Sequence, residues 1–399
     1  VAMPPYPSSE ARRARIGILV IFWLNGAGIG SLLPRYPEIK TALELSDTAW
    51  GIAIAVGPIG GLAAGLLTAT LIRRFSSAWV CVVSQALGVM CLNISGNATT
   101  GVVFALGLFT MAAFDALTDI SMNAHGLRVQ RLYGRSILNS LHGWWSIGAV
   151  SGGFLGSIAA QAHLPVWIQT AITSVVFAGI ALAARPLLLA GPDQAGVPEP
   201  REVAPRPRGI PGAVLVRLAA LGMLGAAAGV IEDSASSWGA VYLDRAFAVV
   251  PFVSGMAFVA LQASQMIGRF TGDALVHRFG PVPSLVQGMA AAGLGILLAV
   301  ILPTPATTIV GFAAAGWGVA TVIPSAMRAA DELPGLKHGS GLTVVTWLMR
   351  IGFFAGPPII GALGDAVGLR WALLVVPAAA ALAIILSPAL KPLSPAPTK

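Results

Sequence analysis

The stretch DALTDISMNAHG, residues 115–126, places two aspartates, an asparagine and a histidine inside one of the most apolar regions of the chain. Asp115, Asp119 and Asn123 recur every four residues, so on a helix they form one polar stripe. A carboxylate in hydrocarbon is costly unless it is paired or meets water. The stripe therefore predicts a proton or cation site facing a cavity, with a structural network between helices as the alternative.

Other polar groups near this stripe could take part in the same chemistry. His142, in LHGWWSIG, begins the next apolar segment at a depth similar to that of Asp119, so the two could shuttle protons near neutral pH. The alternative for His142 is a bond to a backbone carbonyl. Trp144 and Trp145 point about 100° apart on a helix, so only one can face a cavity, and Trp145 is the candidate. His125 is expected to be solvated.

The second half of the chain carries a separate set of candidates. Glu232 and Asp233 are adjacent in AGVIEDSASSW, and we expect only one of them to face a pocket. Arg350 is the one basic residue at mid-depth and must be paired or hydrated. It could clamp a substrate carboxylate or sugar, or form a fixed salt bridge to one of these acids. Gln262 and Gln265 could bind a polar substrate or a neighbouring helix.

The composition is that of an integral membrane protein. Of 399 residues, 56% are hydrophobic and 10% charged, whereas soluble proteins carry about 25% charged residues. A span needs about 20 apolar residues. By that criterion we predict twelve transmembrane helices, at residues 15–34, 48–72, 78–96, 101–126, 137–160, 165–188, 213–237, 250–274, 282–302, 305–328, 339–362 and 368–388.

A proline-rich, charged stretch divides these helices into two sets of six. We predict an all-α fold with an N-terminal bundle at 1–190, a cytoplasmic linker at 191–211 and a C-terminal bundle at 212–399. A shift of 204 residues brings LIRRFSS at 71–77 onto LVHRFGP at 275–281, with similar matches in two other helix pairs. This repeat predicts two pseudo-symmetric parallel halves with a substrate site between them, which is an arrangement found in transporters.

The positions of the charges predict the orientation. Of the 24 Lys and Arg residues, 19 fall in loops on the side of both termini and 4 on the other side, with Arg350 inside a span. Positive loops stay inside, so we expect both termini in the cytoplasm. The excess of arginine over lysine, 20 to 4, is typical of a GC-rich bacterial genome, so we expect the chain in a bacterial inner membrane. Basic loops beside anionic lipid also explain the net charge of +8 without nucleic acid. No metal-ligand spacing is visible, and no cofactor is expected.

Several segments resemble the major facilitator superfamily. LIRRF and LVHRFG stand where that family places a Gly-x-x-x-Asp-Arg-x-Gly-Arg loop, although Arg73 and His277 occupy the position of the acid. Arg74 and Arg278 of these segments are candidate gating residues. The segments PRYPEIKTALELSDTAWGIAI, DISMNAHG and SLHGWWSIGAVSGG are similar to a bacterial branch of the family that is distantly similar to fucose permease.

The resemblance implies more about individual residues. Arg35 is a signature residue of the branch, and we interpret it as a solvated gate residue at the outer end of the first span. The branch also favours Glu232 over Asp233 as the site acid. The family layout implies a cavity bordered by the first, fourth, seventh and tenth helices, with side chains from the fifth, eighth and eleventh. The glycine-rich segments at 57–65 and 148–156 are predicted to be the moving contacts of the transport cycle.

The function that these observations favour is secondary active transport of a small polar or amphipathic solute. We expect proton coupling, rocking of the two bundles, and a monomer whose partners are substrate, protons and membrane lipid. One alternative is proton-antiport efflux of drug-like compounds, although Ala149 replaces the proline that drug antiporters carry in the fifth span. Another is a membrane sensor that moves no solute. The sequence shows no pairing of a nucleophile with a base that would indicate an enzyme, so we do not expect one.

Overall fold

The chain is a bundle of long helices. The computed structural model describes residues 8–134, 137–193, 211–334, 336 and 340–391, and no strand occurs within them. The main helices are α1 (Ser9–Leu32), α2 (Asp47–Phe75), α3 (Ser77–Met90, continued by Leu92–Gly96), α4 (Gly101–Tyr133), α5 (Leu138–Gln161), α6 (Val166–Ala184), α7 (Gly212–Asp233, continued through a π-helical turn at Ser234–Gly239 by Ala240–Phe247), α8 (Pro251–Phe279), α9 (Pro281–Ile301), α10 (Pro305–Val319, continued by Val322–Asp331), α11 (Ser340–Val367) and α12 (Leu369–Ala372, continued by Val375–Leu386).

These segments agree with the predicted series of twelve spans. Ten of them have both the length and the hydropathy of a membrane span among the described residues. The other two, α5 and α8, contain 24 and 29 residues and are also long enough to cross a bilayer. The largest errors in the predicted limits are at α4 and α7, which continue to Tyr133 and, through the π-helical turn, to Phe247. Most of the predicted linker, residues 194–210, lies outside the described residues.

The internal repeat is visible in the helix limits. The helices α2, α3 and α4 begin at 47, 77 and 101, and α8, α9 and α10 begin at 251, 281 and 305, a difference of 204 residues each time. The packing follows the same symmetry. Contacts of α1 with α5, α2 with α4 and α3 with α6 in the first bundle correspond to contacts of α7 with α11, α8 with α10 and α9 with α12 in the second.

Glycines bring helix backbones together inside each bundle. A Cβ at Gly148, Gly152 or Gly156 of α5 would clash with a backbone carbonyl oxygen of α1. These glycines therefore hold α5 against α1 within one bundle, and the prediction that they are moving contacts is wrong for them. The most extensive contacts between the bundles are those of α2 with α11 and of α5 with α8. Gly51 lies there, against the carbonyl of Pro357.

A polar lock joins α2 and α11 on the face opposite the chain termini, which we call the distal face. Asp365 of α11 accepts hydrogen bonds from the backbone N–H groups of Asp47 (2.9 Å) and Thr48 (2.8 Å) at the start of α2. These N–H groups have no partner inside their own helix, so a carboxylate stabilises them. The Asp47 carboxylate in turn pairs with Lys40 (2.8 Å) and with Arg245 of the second bundle (2.6 Å).

An aromatic layer lies next to this lock. Trp50 stacks on Phe104 with 4.8 Å between ring centroids, and Tyr36 contacts the edge of Trp50 at 5.0 Å. The indole N–H of Trp50 donates to the carbonyl of Ser237 in the π-helical turn of α7 (3.4 Å). The layer and the lock together close the distal face.

Arg35 does not have the solvated position that the sequence suggested. Its side chain is 1% exposed. The guanidinium pairs with Glu38 at 2.6 Å and also donates to the side chain of Gln169 and to the carbonyl of Leu164. A buried guanidinium needs such partners on all sides. Arg35 therefore fastens the end of α1 to the start of α6 inside the first bundle.

A second buried cluster lies on the face of the chain termini, which we call the terminal face. His125 is completely buried, which corrects the expectation that it is solvated. Its Nε2 accepts from the backbone N–H of Leu189 (3.2 Å), so its Nδ1 carries the proton and donates to Ser77 Oγ (3.0 Å). Ser77 donates to Asp193 (2.6 Å), which also pairs with Arg128 (2.9 Å).

Asp193 gives this cluster a pH dependence that can be measured. Burial favours its neutral form, but the bonds from Ser77 and the Arg128 guanidinium outweigh burial and lower its pKa below the ordinary value. A lowered folded-state pKa stabilises the protein above the unfolded-state pKa, and this contribution is lost as the pH falls through the folded-state pKa. Asp193→Asn should therefore lower the melting temperature at pH 7, by an amount that shrinks in acid.

The control for this prediction is Glu10→Gln, which removes an exposed acid from the first turn of α1. We expect it to change the melting temperature little. A deficit in Asp193→Asn that stays constant from pH 7 down to about pH 3, below the ordinary pKa of an aspartate, would contradict a role of the Asp193 charge.

Candidate functional site

The main cavity lies between the two bundles and has a volume of about 450 Å³. Helices α1, α4, α5, α7, α8 and α11 line it, as predicted. The tenth helix was also predicted to line it, but no described residue of α10 does, and α2 and α3 do instead. Gly316 of α10 packs against the carbonyl of Leu261, so α8 stands between α10 and the cavity. Small residues such as Gly57 and Gly88 leave room in the first bundle.

The structure brings seven of the predicted site residues to this one cavity: Asp115, Asp119, Trp145, Glu232, Asp233, Gln262 and Arg350. Three others contact this group without lining the cavity: Asn123, His142 and Gln265. The candidate gating residues are elsewhere. Arg74 and Arg278 are exposed at the terminal face, each over the ring of the next residue, Phe75 or Phe279, at 5.4 and 5.2 Å.

Asn25 of α1 connects the first-bundle wall of the cavity. Its amide nitrogen donates to Asp115 (2.7 Å) and to Gln85 (3.2 Å), and its carbonyl oxygen accepts from the indole of Trp145 (2.8 Å). One amide thus joins α1, α3, α4 and α5. As predicted for a Trp pair, one member faces the cavity, and the other, Trp144, has 44% of its surface exposed.

The other end of the polar stripe forms a relay rather than a direct pair. His142 Nε2 lies 3.1 Å from Asn123 Oδ1, and Asn123 Nδ2 donates to Asp119 Oδ1 at 3.1 Å. The predicted pairing of His142 with Asp119 therefore runs through Asn123. Because an amide oxygen is an acceptor, His142 donates here. Asp119 and His142 are both exposed, so water can reach this end of the stripe.

The second-bundle wall carries both acids of α7. Glu232 accepts from Gln265 of α8 (2.9 Å), and Asp233 accepts from Ser237 one turn further along α7 (2.9 Å). The expectation that only one acid faces the pocket is wrong, since both line it. Side chains of neighbouring residues on a helix point about 100° apart. Both directions reach the cavity here, with Glu232 on the side of α8 and Asp233 on the side of α11.

Arg350 has no hydrogen bond or ion pair with any described residue. The salt bridge to Glu232 or Asp233, one of its two predicted roles, does not form. The guanidinium reaches the other side of the cavity, where a Cβ at Gly61 of α2 would lie 3.7 Å from its Nη1. There it attracts Asp115 and Asp119 electrostatically without contact.

Sequence reasoning missed Asn25 and Gln85, and also Asp47 and Asp365 of the distal lock. The first two had a usable signal, because each is a lone amide in an apolar run, and polar residues inside a span are usually functional. The lock had none, since acids at helix ends are common on any surface. In the described part of the chain, no cluster of three or more His, Cys, Asp or Glu could hold a metal ion.

A membrane protein with two six-helix bundles and a polar cavity between them has the architecture of a secondary transporter. A family model of the Major Facilitator Superfamily matches residues 219–399. An uncharacterised MFS-type transporter of Yersinia pestis is 27% identical over 353 residues, which are 87% of this chain and 88% of the relative. The membrane protein MosC of Rhizobium meliloti is 25% identical over 355 residues, 89% and 84% of the two chains. The second half of the chain therefore matches the major facilitator superfamily, and the whole chain is similar to a relative described as a transporter of that type.

Solved structures show the same fold. A mutant of the nucleoside transporter NupG matches with a TM-score of 0.75 and 15% identity, over 94% of this chain and 98% of that one. A bacterial homologue of the human lysosomal transporter Spinster, in an inward-facing and occupied conformation, matches with a TM-score of 0.71 and 15% identity, over 96% and 98%. These likenesses concern the fold alone.

The three hydrogen bonds of Asn25 lead to a prediction. Asn25→Ala removes the donor to Asp115 and the acceptor of Trp145, and groups stranded in this way cost about 1–3 kcal/mol each. We expect a clear fall in the melting temperature, while Asn97→Ala, which changes an exposed residue in the connection before α4, should have little effect. Equal melting temperatures for the two variants would show that Asn25 does not hold this wall.

Proposed function

We propose that this transporter moves a small polar or amphipathic solute together with, or in exchange for, protons, by alternating access. The observation that carries the proposal is the cavity between the bundles, because its walls hold four carboxylates and one guanidinium at membrane depth. Ionisable groups in such a position are typical of substrate and proton pathways.

Proton coupling is supported by the relay at the end of the stripe. Asp119 lines the cavity, and Asn123 connects it to His142, which is exposed toward the terminal face. The amide of Asn123 does not itself carry a proton, so a proton would pass between Asp119 and His142 through water, which reaches both exposed side chains. Asp119 is therefore the coupling residue in this proposal, with Asp115, Glu232 and Asp233 as the other acids of the site.

Alternating access is supported by the nature of the distal closure. Its contacts between bundles include ion pairs and helix-end hydrogen bonds at Asp47, Arg245 and Asp365, beside the bond from Trp50 to Ser237. Arg245 is 46% exposed although Asp47 is buried, so water can compete for this pair, and ion pairs near a surface contribute about 1 kcal/mol or less. A rocking motion can therefore break them and open the cavity to the distal side. The charge asymmetry of the loops favours a cytoplasmic terminal face in a bacterial inner membrane.

Proteoliposomes with a trapped pH indicator test this function. We would add matched sugars, nucleosides, amino acids and amines, and follow internal pH and labelled solute with and without a pH gradient. Solute movement that responds to the gradient supports coupled transport, whether uptake or drug-like efflux. Binding of a probe without any flux would favour a sensor instead.

Asp119→Asn separates proton coupling from solute movement. The amide keeps the shape of the side chain but cannot carry a proton, so gradient-driven accumulation should be lost while solute counterflow continues. Glu10→Gln, outside the cavity, should accumulate solute normally. Unchanged accumulation in Asp119→Asn would remove this residue from the coupling mechanism.

Asp365→Asn tests the distal lock. If its two charge-assisted bonds contribute about 1 kcal/mol, the state open to the distal side becomes about five times more populated. We would measure maleimide labelling of a cysteine at Ser236, which lines the cavity, from the distal side. The labelling rate should rise by this factor in Asp365→Asn and stay constant in Glu44→Gln, which changes an exposed acid on the same face. Equal rates in both variants would exclude Asp365 from the closure.

A further inference from the structure

Three hydrogen-bond acceptors at or next to the second-bundle wall of the cavity lack a donor among the described residues. Asp233 Oδ2, Gln262 Oε1 and Gln265 Oε1 are buried and meet no donor in the described part of the chain. Gln262 and Gln265 are 4% and 1% exposed, so bulk water does not satisfy them. A buried acceptor without a donor is destabilising, and a bound ligand that donates hydrogen bonds would relieve it.

The orientation of two of these groups, Gln265 and Asp233, follows from their other bonds. Gln265 donates its Nε2 to Glu232, which fixes its oxygen as the free end. Asp233 uses Oδ1 to accept from Ser237, so Oδ2 is free. Gly356 of α11 faces this oxygen and does not crowd it, because even a Cβ added to this glycine would lie 3.7 Å from Oδ2. Asp233 and Gln262 both line the cavity, so a rotation of either side chain would turn its buried oxygen toward a ligand there.

The charge of the cavity limits what that ligand can be. Its lining has four carboxylates, at Asp115, Asp119, Glu232 and Asp233, and one guanidinium, at Arg350, which gives 1 − 4 = −3 when all are ionised. A neutral polyol could donate hydrogen bonds but would leave this charge in place. A cation does both, since an ammonium group carries three N–H donors and no acceptor.

Two further features favour an ammonium group at this wall. Phe258 of α8 and Phe353 of α11 line the cavity, and aromatic faces attract cations. Arg350 reaches the opposite side, next to Gly61, and would repel a cation from there. Electrostatics therefore direct a positive group toward Asp233 and Gln262 and leave Arg350 for an oxygen of the same solute.

We propose that the transported solute is a polar primary amine whose ammonium group binds Asp233 and Gln262. The inference rests on the proposed transport function and specifies its substrate class. The solute fits a cavity of about 450 Å³ and carries hydroxyl or carboxylate oxygens that bind Arg350. Its competitor is a neutral solute with a proton resident on Asp233, in which hydroxyl groups donate to the same wall.

Equilibrium binding to the purified full-length chain in detergent distinguishes the two. The probes are matched sets with one skeleton: glucosamine, glucose and N-acetylglucosamine, and a second set of 4-aminobutanol and 1,4-butanediol. We expect thermal stabilisation by an amine member at about 10 mM, with an affinity about tenfold above that of its hydroxyl analogue. Equal or tighter binding of the hydroxyl analogues, or no stabilisation by any amine, would overturn the proposal.

Variants assign the effect to this wall. Asp233→Asn should abolish the preference for the amine, and Gln262→Met, which keeps the length but removes the acceptor, should weaken amine binding several-fold. Asp244→Asn, a matched change in the continuation of α7 and outside the cavity lining, should bind like the parent protein. An amine preference that survives in Asp233→Asn would contradict the proposed site.

This experiment can fail separately from the transport proposal, because it uses neither a membrane nor a gradient. A chain that binds amines but moves no solute would keep the amine site and refute transport. A chain that moves only neutral solutes would refute the amine site and keep transport.

Discussion

The need to satisfy polar groups inside an apolar helical bundle governs the design of this protein. Hydrocarbon offers no hydrogen bonds, so each buried carboxylate or amide must find a partner in the protein or water in a cavity. Asn25 joins four helices because Asp115, Gln85 and Trp145 all need it. The cavity exists where such pairing is incomplete, and there the free atoms are available to a ligand.

The contacts inside each bundle and those between the two bundles differ in how much movement they allow. Inside a bundle, glycines such as Gly148 let backbones touch, and close apolar packing of this kind resists movement. Between the bundles, Gly51 also packs against a backbone carbonyl. The distal face is held in addition by Asp47, Arg245 and Asp365, whose partners water can replace. Rigid bundles joined by replaceable polar contacts form a structure that can rock without unfolding, which supports the proposed transport cycle.

The 204-residue repeat relates the helix positions of the two bundles but not the polar side chains on those helices. Helix starts repeat at 204 residues, yet the positions that correspond to Asp115 and Asp119 are Val319 and Ile323, and Arg350 corresponds to Ser146. The two walls of the cavity are therefore chemically different: one is internally bonded around Asn25, and the other has free acceptors. This asymmetry lets a solute be held in one orientation.

The sequence by itself determined the fold class, a series of spans with which the observed helices agree, and the charged residues that line the cavity. Hydrophobic length and the cost of buried charge are local properties, so they can be read from composition, as the stripe of Asp115 and Asp119 shows. The sequence did not determine which residues these side chains contact in the folded protein. The burial of Arg35 and His125, the lack of a partner for Arg350 among the described residues and the lock at Asp365 all depend on which residues, often more than 100 positions apart, meet in space. Only the tertiary packing decides those meetings, because a side chain's partner is fixed by how helices cross and not by its neighbours in the chain.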